Sequence, residues 1–259
     1  MKKIILSLTL LLSVLAISAQ DKWVYSLHIV RVEGNLENFE KVQALYMKKV
    51  AKIAADKGDI IFWGLLKTYR LDNIDNEGSN NYAFFQSNPN IESLLSAKNA
   101  WWTNATSVLT TEEQAIVTAL QSTFTWTADS RHVFAVEGDV QKGVGHFVQF
   151  NFASPDDLGG FIAENNALWK PYFEQHMEKM GMTSWGVSRR IAPLGQRSNG
   201  NKWSTIATWD MFNSIEELMQ YRISATIPAE MLKKSKMGTY NPAGFSNQPI
   251  FEILTTTAN

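Results

Sequence analysis

Two stretches of the sequence, DIIFWGLLK at residues 59–67 and MTSWGVSRR at residues 182–190, decide the fold. Each is extended in character and carries Trp-Gly, with a cation three residues after the glycine. Each also follows a long amphipathic segment that ends in Lys57-Gly58 or Met180-Gly181. A local pattern that occurs twice in this way indicates an internal repeat, and a repeat of this length implies two similar structural units.

The elements around each of these two strands follow the same order in the two halves of the chain. The first half reads as strand 24–32, helix 36–57, strand 60–70, loop 72–81, strand 82–86, helix 91–102, a short helix from Thr110 with a Thr110–Glu113 capping box, and strand 131–137. The second half reads as strand 145–152, a helix from Ser154 to Met180, strand 182–191, loop 195–201, strand 203–209, a helix from Asn213 and strand 249–255. Both halves therefore have the order β-α-β-β-α-β of a ferredoxin-like unit, which is an α+β fold.

Two such units in one chain, each with one bare sheet face, resemble the dimeric α+β-barrel superfamily, in which the sheets pack face to face. The resemblance rests on element order across residues 21–140 and 141–259. It implies an intramolecular barrel. Members of this superfamily include cofactor-independent monooxygenases, small-molecule isomerases, haem proteins of the chlorite-dismutase type and proteins that only bind ligands.

The composition bounds the function classes. A net charge of −1 gives no basic footprint for nucleic acid, and the absence of cysteine excludes disulfides and thiolate metal sites. The basic start Met1-Lys2-Lys3, the apolar run 4–17 and the small residues that follow are typical of a signal peptide over residues 1–20. We therefore expect a periplasmic or secreted protein with no membrane span after processing.

Alternation along the strands predicts which side chains enter the barrel. In the first strand Tyr25, Leu27 and Ile29 form the apolar set expected under the helices, so Ser26 and His28 are expected inside. In the matching strand Val148, Phe150 and Phe152 are assigned to the helices and Gln149 and Asn151 to the interior. With Gly64 and Gly186 assigned to the helix face, the remaining candidates for an interior ligand site are Trp63, Lys67, Trp185, Arg189 and, from the last strand, Glu252.

Each of these residues also has a plainer interpretation. Trp63 and Trp185 are equally well explained as core filling, and Lys67 and Arg189 as solvated strand ends. His176 occupies a helical position that matches Ile53. The resemblance to haem proteins makes it a candidate axial ligand, but no surrounding motif matches and a core position is favoured.

The sequence thus predicts an aromatic-lined cavity that binds a small molecule, without a cofactor or a metal. The alternative is a cofactor-independent enzyme in which His28 acts as general base and Gln149, Asn151 and Arg189 stabilise an oxyanion. A haem protein is the third interpretation. The ligand and the oligomeric state stay open.

Overall fold

The computed structural model describes residues 22–72, 79–197, 199–224 and 227–258, with the backbone alone at 128–130. Its eight strands are β1 (Val24–Gly34), β2 (Phe62–Tyr69), β3 (Tyr82–Asn88), β4 (Phe124–Gln141), β5 (Phe147–Ala153), β6 (Met182–Ala192), β7 (Ile206–Phe212) and β8 (Ile250–Thr256). The predicted signal peptide lies outside the described residues, as does most of the predicted loop 72–81.

Helices connect the strands in the predicted order. The helix after β1 comprises Leu36–Lys41, a π-helical turn Val42–Met47 and Lys48–Asp56, and the helix after β5 comprises Leu158–Glu164, a π-helical turn Asn165–Trp169 and Lys170–His176, followed by a 3-10 turn Met177–Met180. Between β3 and β4 lie Ile91–Leu95, Ala97–Asn104, Ala105–Val108 and Thr111–Gln121; between β7 and β8 lie Ile215–Ser224, Ala229–Lys234 and Met237–Tyr240. The predicted capping box at Thr110 and Glu113 is present.

The strands form one closed antiparallel barrel in the order β1-β3-β2-β8-β5-β7-β6-β4. The first four strands occupy one contiguous arc, β4-β1-β3-β2, and the last four occupy the other, β8-β5-β7-β6. The arcs are joined by hydrogen-bonded pairs, β2 with β8 and β4 with β6. The α+β class is therefore confirmed, but the two sheets expected to pack face to face are a single continuous sheet that closes on itself.

The interior of the barrel is an aromatic and aliphatic core. Its buried members include Tyr25 and Leu27 from β1, Phe134 from β4, Phe150 from β5 and Trp209 from β7. The ring centroid of Tyr25 lies 5.1 Å from that of Phe134, 6.4 Å from that of Phe150 and 5.9 Å from that of Trp209. Two further cores fill the space between the outer face of the barrel and the helices of each half.

The assignment of strand faces in the sequence analysis is wrong, although the grouping by alternation is right. Tyr25 and Leu27 point into the barrel, and Val30, which shares a face with Ser26 and His28, packs in the core under the first-half helices. Likewise Val148 and Phe150 point inward. Both faces of these strands are buried, so alternation separates two sets of side chains without showing which set faces which core.

The predicted faces of the two Trp-Gly strands are wrong for the same reason. Trp63 and Trp185 pack against helices, and Gly186 faces the interior, where a Cβ atom would lie 2.1 Å from Cζ2 of Trp209. The glycine thus makes room for an indole ring inside the barrel and not for a helix outside it.

Over the described residues, no helix combines the length and the apolar character needed to cross a bilayer.

Candidate functional site

A cavity of about 610 Å³ lies between the outer face of the first-half sheet and the helices that cover it. We call it the helix-covered cavity. Strands β1, β2, β3 and β4 form its floor, and the segment between β3 and β4 forms most of its roof. It is lined by Ser26, His28, Gln43, Met47, Trp63, Phe84, Gln86, Trp101, Trp102, Ala105, Thr106, Leu109, Gln114, Val117, Thr118, Gln121, Trp126 and Arg131. Its volume falls in the range of small-molecule sites.

The walls of this cavity are mainly aromatic. Trp63 stacks on Phe84 at 6.2 Å between centroids and meets Trp101 edge-on at 5.8 Å, and Trp126 meets Phe84 edge-on at 6.1 Å. The Trp101 indole is held in place because its Nε1 donates a 2.9 Å hydrogen bond to Oε1 of Gln86. Fixed aromatic faces of this kind favour a flat, largely apolar ligand.

The polar groups come mainly from two neighbouring strands. His28 of β1 and Arg131 of β4 are directly opposite in the antiparallel register, so their side chains share the outer face. Nη2 of Arg131 donates a 2.9 Å hydrogen bond to Oγ of Ser26. The His28 ring lies 6.0 Å from Trp126 and 6.3 Å from Phe84. A guanidinium, an imidazole and a hydroxyl therefore converge beside aromatic rings.

The electrostatics of the cavity are one-sided. Among the described residues that line it, Arg131 is the one permanently charged side chain, and none is Asp or Glu. Within the part of the chain that the structure describes, Arg131 forms no ion pair. Burial lowers the pKa of Arg131, yet an arginine keeps its proton at neutral pH. A partly buried cation without a protein carboxylate favours an anionic group on the ligand.

Two of the eight predicted site residues, His28 and Trp63, line this cavity. They do so on the face opposite to the one predicted. Gln149, Asn151 and Trp185 belong to the other half. Because β1 and β5 lie four strands apart in an eight-stranded barrel, their outer faces point in opposite directions. His28 is therefore not brought together with Gln149 or Asn151.

Gln149 and Asn151 instead form a buried polar network in the second half. Nδ2 of Asn151 donates to Oδ2 of Asp210 at 2.7 Å, Nε of Arg222 donates to Oε1 of Gln149 at 2.7 Å, and Nε2 of Gln248 donates to Oδ1 of Asn151 at 2.8 Å. Trp185 is buried and stacks on Phe173 at 4.9 Å. These residues satisfy one another, so they behave as core components.

Asp210 gives this network a pH dependence. Burial raises the pKa of Asp210 to about 6, whereas an unfolded aspartate titrates near ~4. At pH values between about 4 and 6, Asp210 is protonated in the folded state and ionised in the unfolded state. The free energy of unfolding therefore falls by about 3 kcal/mol as the pH rises through this range.

We expect Asp210→Asn to remove that loss, because the amide stays neutral and still accepts the bond from Asn151. In urea denaturation, the stability difference between the variant and the wild type should then grow in favour of the variant between pH 4 and pH 7. A difference that is the same at both pH values contradicts the assignment.

The three predicted charged residues lie outside the helix-covered cavity, and two of them, Lys67 and Arg189, form ion pairs. Nζ of Lys67 lies 2.8 Å from Oε1 of Glu40, and Nε of Arg189 lies 3.1 Å from Oε1 of Glu137. Glu252 is the register partner of Lys67 on β8. None of the three lines this cavity.

A metal or haem site finds little support in the side chains. The described residues contain no group of three or more His, Asp or Glu suited to a metal ion. His176 packs edge-on against Tyr172 at 4.6 Å, its Nδ1 is buried, and it does not line the helix-covered cavity.

Sequence reasoning missed the residue that gives the site its charge. Arg131 was expected to begin a strand, but β4 starts seven residues earlier, at Phe124, which places Arg131 in mid-strand and on the cavity face. Trp101 and Trp126 were not singled out either. The adjacent pair Trp101-Trp102 is a sequence signal from which the aromatic roof of this cavity could have been inferred.

No family model matches the chain, and no curated protein matches it. Among solved structures, a protein from Lactobacillus acidophilus NCFM, provisionally described as a monooxygenase, has a TM-score of 0.50 at 10% identity and covers 92% of this chain and 95% of its own. An anthrone oxidase-like protein has a TM-score of 0.48 at 13% identity, covering 92% and 94%. A heme-binding protein from Thermus thermophilus has a TM-score of 0.46 at 11% identity, covering 90% and 91%.

At these sequence identities a structural match shows a shared fold and nothing more. Of the three structures, only the Lactobacillus protein has a TM-score high enough to show a shared fold. The likeness to that structure shows that the two chains share an overall fold. It says nothing of the reaction.

Proposed function

We propose that this protein binds a flat, mainly apolar small molecule with one anionic group in the helix-covered cavity. The observation that carries the proposal is the pairing of a wall of tryptophans with Arg131 in a cavity whose described lining residues include no Asp or Glu and no second Lys or Arg. The ligand's ring system would lie against Trp63 and Trp101, and its anionic group would accept hydrogen bonds from Arg131.

The charge of Arg131 is the main source of selectivity in this proposal. A guanidinium whose described partner is the Ser26 hydroxyl has further donors to offer. A carboxylate or sulfonate on the ligand would supply the counter-charge that none of the described residues provides. Charge-assisted hydrogen bonds in a partly buried site are stronger than those between neutral groups.

A matched pair of probes tests this proposal. The naphthalene derivatives 2-naphthoate and 2-naphthamide have nearly the same shape and differ in charge. We expect isothermal titration calorimetry at neutral pH to give at least tenfold tighter binding of 2-naphthoate. Equal affinities, or binding of neither probe, would contradict the proposed ligand class.

A second candidate function follows from the position of His28 beside Arg131. An imidazole can abstract a proton while the neighbouring guanidinium stabilises the oxyanion that forms, which is chemistry for a cofactor-independent isomerase or oxygenase. Enzyme-dependent exchange of the C3 protons of phenylpyruvate in deuterium oxide, lost in His28→Gln, would support this function. Exchange at the rate of the buffer alone would argue for binding without catalysis.

We also infer that residues 21–140 and 141–259 are two ferredoxin-like repeats in an exported chain. In support, the two halves share a pattern of strand pairing. In the first half Ser26 and Trp63 both pair with Gln86, and in the second half Gln149 and Trp185 both pair with Asp210. Both long helices also contain a π-helical turn.

Export rests on residues 1–20 alone, and an intact mass of the envelope-fraction protein that still includes Met1 would refute it.

A further inference from the structure

We propose that the interior of the barrel is a second ligand site, which takes one neutral, apolar molecule. A cavity of about 360 Å³ opens there. It is separated from the helix-covered cavity by the sheet itself, because neighbouring residues of one strand line the two spaces. On β1, Tyr25 lines the barrel cavity while Ser26 lines the other. On β3, Phe85 and Gln86 divide in the same way.

The size of this space is the first argument. An eight-stranded barrel is either filled by its own side chains or holds one small ligand, and protein interiors leave few voids larger than a water molecule. Each of the eight strands contributes to the wall of this cavity. At its mouth, Ile61 and Val144 are 51% and 43% exposed, which gives the opening an apolar rim.

The wall offers a ligand little hydrogen bonding. Nε1 of Trp209 donates to Oγ of Ser184 at 2.9 Å, and the hydroxyl of Tyr25 is bonded to Oγ of Ser188 at 2.7 Å. The polar ends of both aromatic side chains are thus already satisfied, and their apolar surfaces face the cavity. Apolar surface of this kind favours an apolar ligand, because binding removes both surfaces from water.

The charge at this cavity is opposite to that of the helix-covered cavity. Asp139 is its one charged lining residue, and it forms no ion pair with the residues that the structure describes. A carboxylate beside an apolar cavity repels anions. The two cavities therefore divide ligands by charge, and the barrel cavity disfavours the anions that the helix-covered cavity favours.

The test uses N-phenyl-1-naphthylamine, a neutral fluorescent aromatic probe. We expect the wild-type protein to bind one equivalent that 2-naphthoate does not displace. Val148 lines this cavity and is 2% exposed, so Val148→Trp places an indole ring in the space and should weaken binding of the probe at least tenfold. Displacement by 2-naphthoate, or unchanged binding by a cooperatively folded Val148→Trp protein, would overturn the proposal.

A second arm avoids any change in the core. In an Arg131→Gln background, which disables the anion site, Asp139→Lys should tighten binding of 1-anilinonaphthalene-8-sulfonate at least tenfold, because the charge at the barrel cavity is reversed. The matched control is Asp156→Lys, since Asp156 is exposed on a loop and lines neither cavity. The same affinity in both lysine variants would show that the barrel is not an accessible site.

Discussion

Replacing Arg131 by Gln should weaken binding of 2-naphthoate by at least about 30-fold, or roughly 2 kcal/mol, while leaving 2-naphthamide within about twofold. Glutamine keeps a hydrogen-bond donor near Ser26 but has no charge. The loss should therefore fall on the anion alone. Calorimetric titration of both probes into both proteins gives the four affinities that this comparison needs.

The control for this experiment is Arg189→Gln. Arg189 lies on β6 with its side chain 49% exposed and paired with Glu137, away from the helix-covered cavity. The Arg189→Gln substitution removes the same net charge from the protein, so any general electrostatic effect on anion binding should appear in this variant as well. Equal losses in the two variants would mean that Arg131 has no special role.

Replacing Trp209 by Ala should lower the free energy of unfolding by about 3–5 kcal/mol. Trp209 is 5% exposed inside the barrel, where Gly186 makes room for its ring and Ser184 accepts its N–H hydrogen bond. The substitution removes a large apolar side chain from the core shared by both halves and leaves a cavity. Urea denaturation followed by circular dichroism measures the change.

Trp102→Ala is the matched control, because Trp102 is 46% exposed at the rim of the helix-covered cavity. Its loss should cost less than about 1 kcal/mol. If both variants unfold at the same urea concentration as the wild type, the barrel interior is not the common core of the two halves.

The sequence contained enough information for the order of the elements but not for their closure. The two Trp-Gly stretches, the helix periodicities and the capping box at Thr110 all depend on local spacing, and each corresponds to an element found in the structure. Whether two four-stranded arcs stack or join at their edges depends on pairing between β2 and β8 and between β4 and β6. Neither pair has a local signature.

The wrong prediction of which strand faces point into the barrel has a related cause. In β1 the inner residues Tyr25 and Leu27 and the outer residue Val30 are all buried and apolar, since a core lies on each side of the sheet. The histidine at position 28 was expected to mark a cavity, and it lines one, but under the helices. His28 thus indicated a space but not the side of the sheet on which that space lies.

In the proposed function, the ligand occupies the space between the first-half sheet and its covering helices. Amide hydrogen exchange with and without saturating 2-naphthoate tests this most directly, since bound ligand slows exchange in the segments that enclose it. We predict protection in residues 97–121, which form most of the roof of the helix-covered cavity, and no change in the second-half helix Ile215–Ser224. Protection confined to the second half, or binding by calorimetry with no protection in residues 97–121, would contradict the claim.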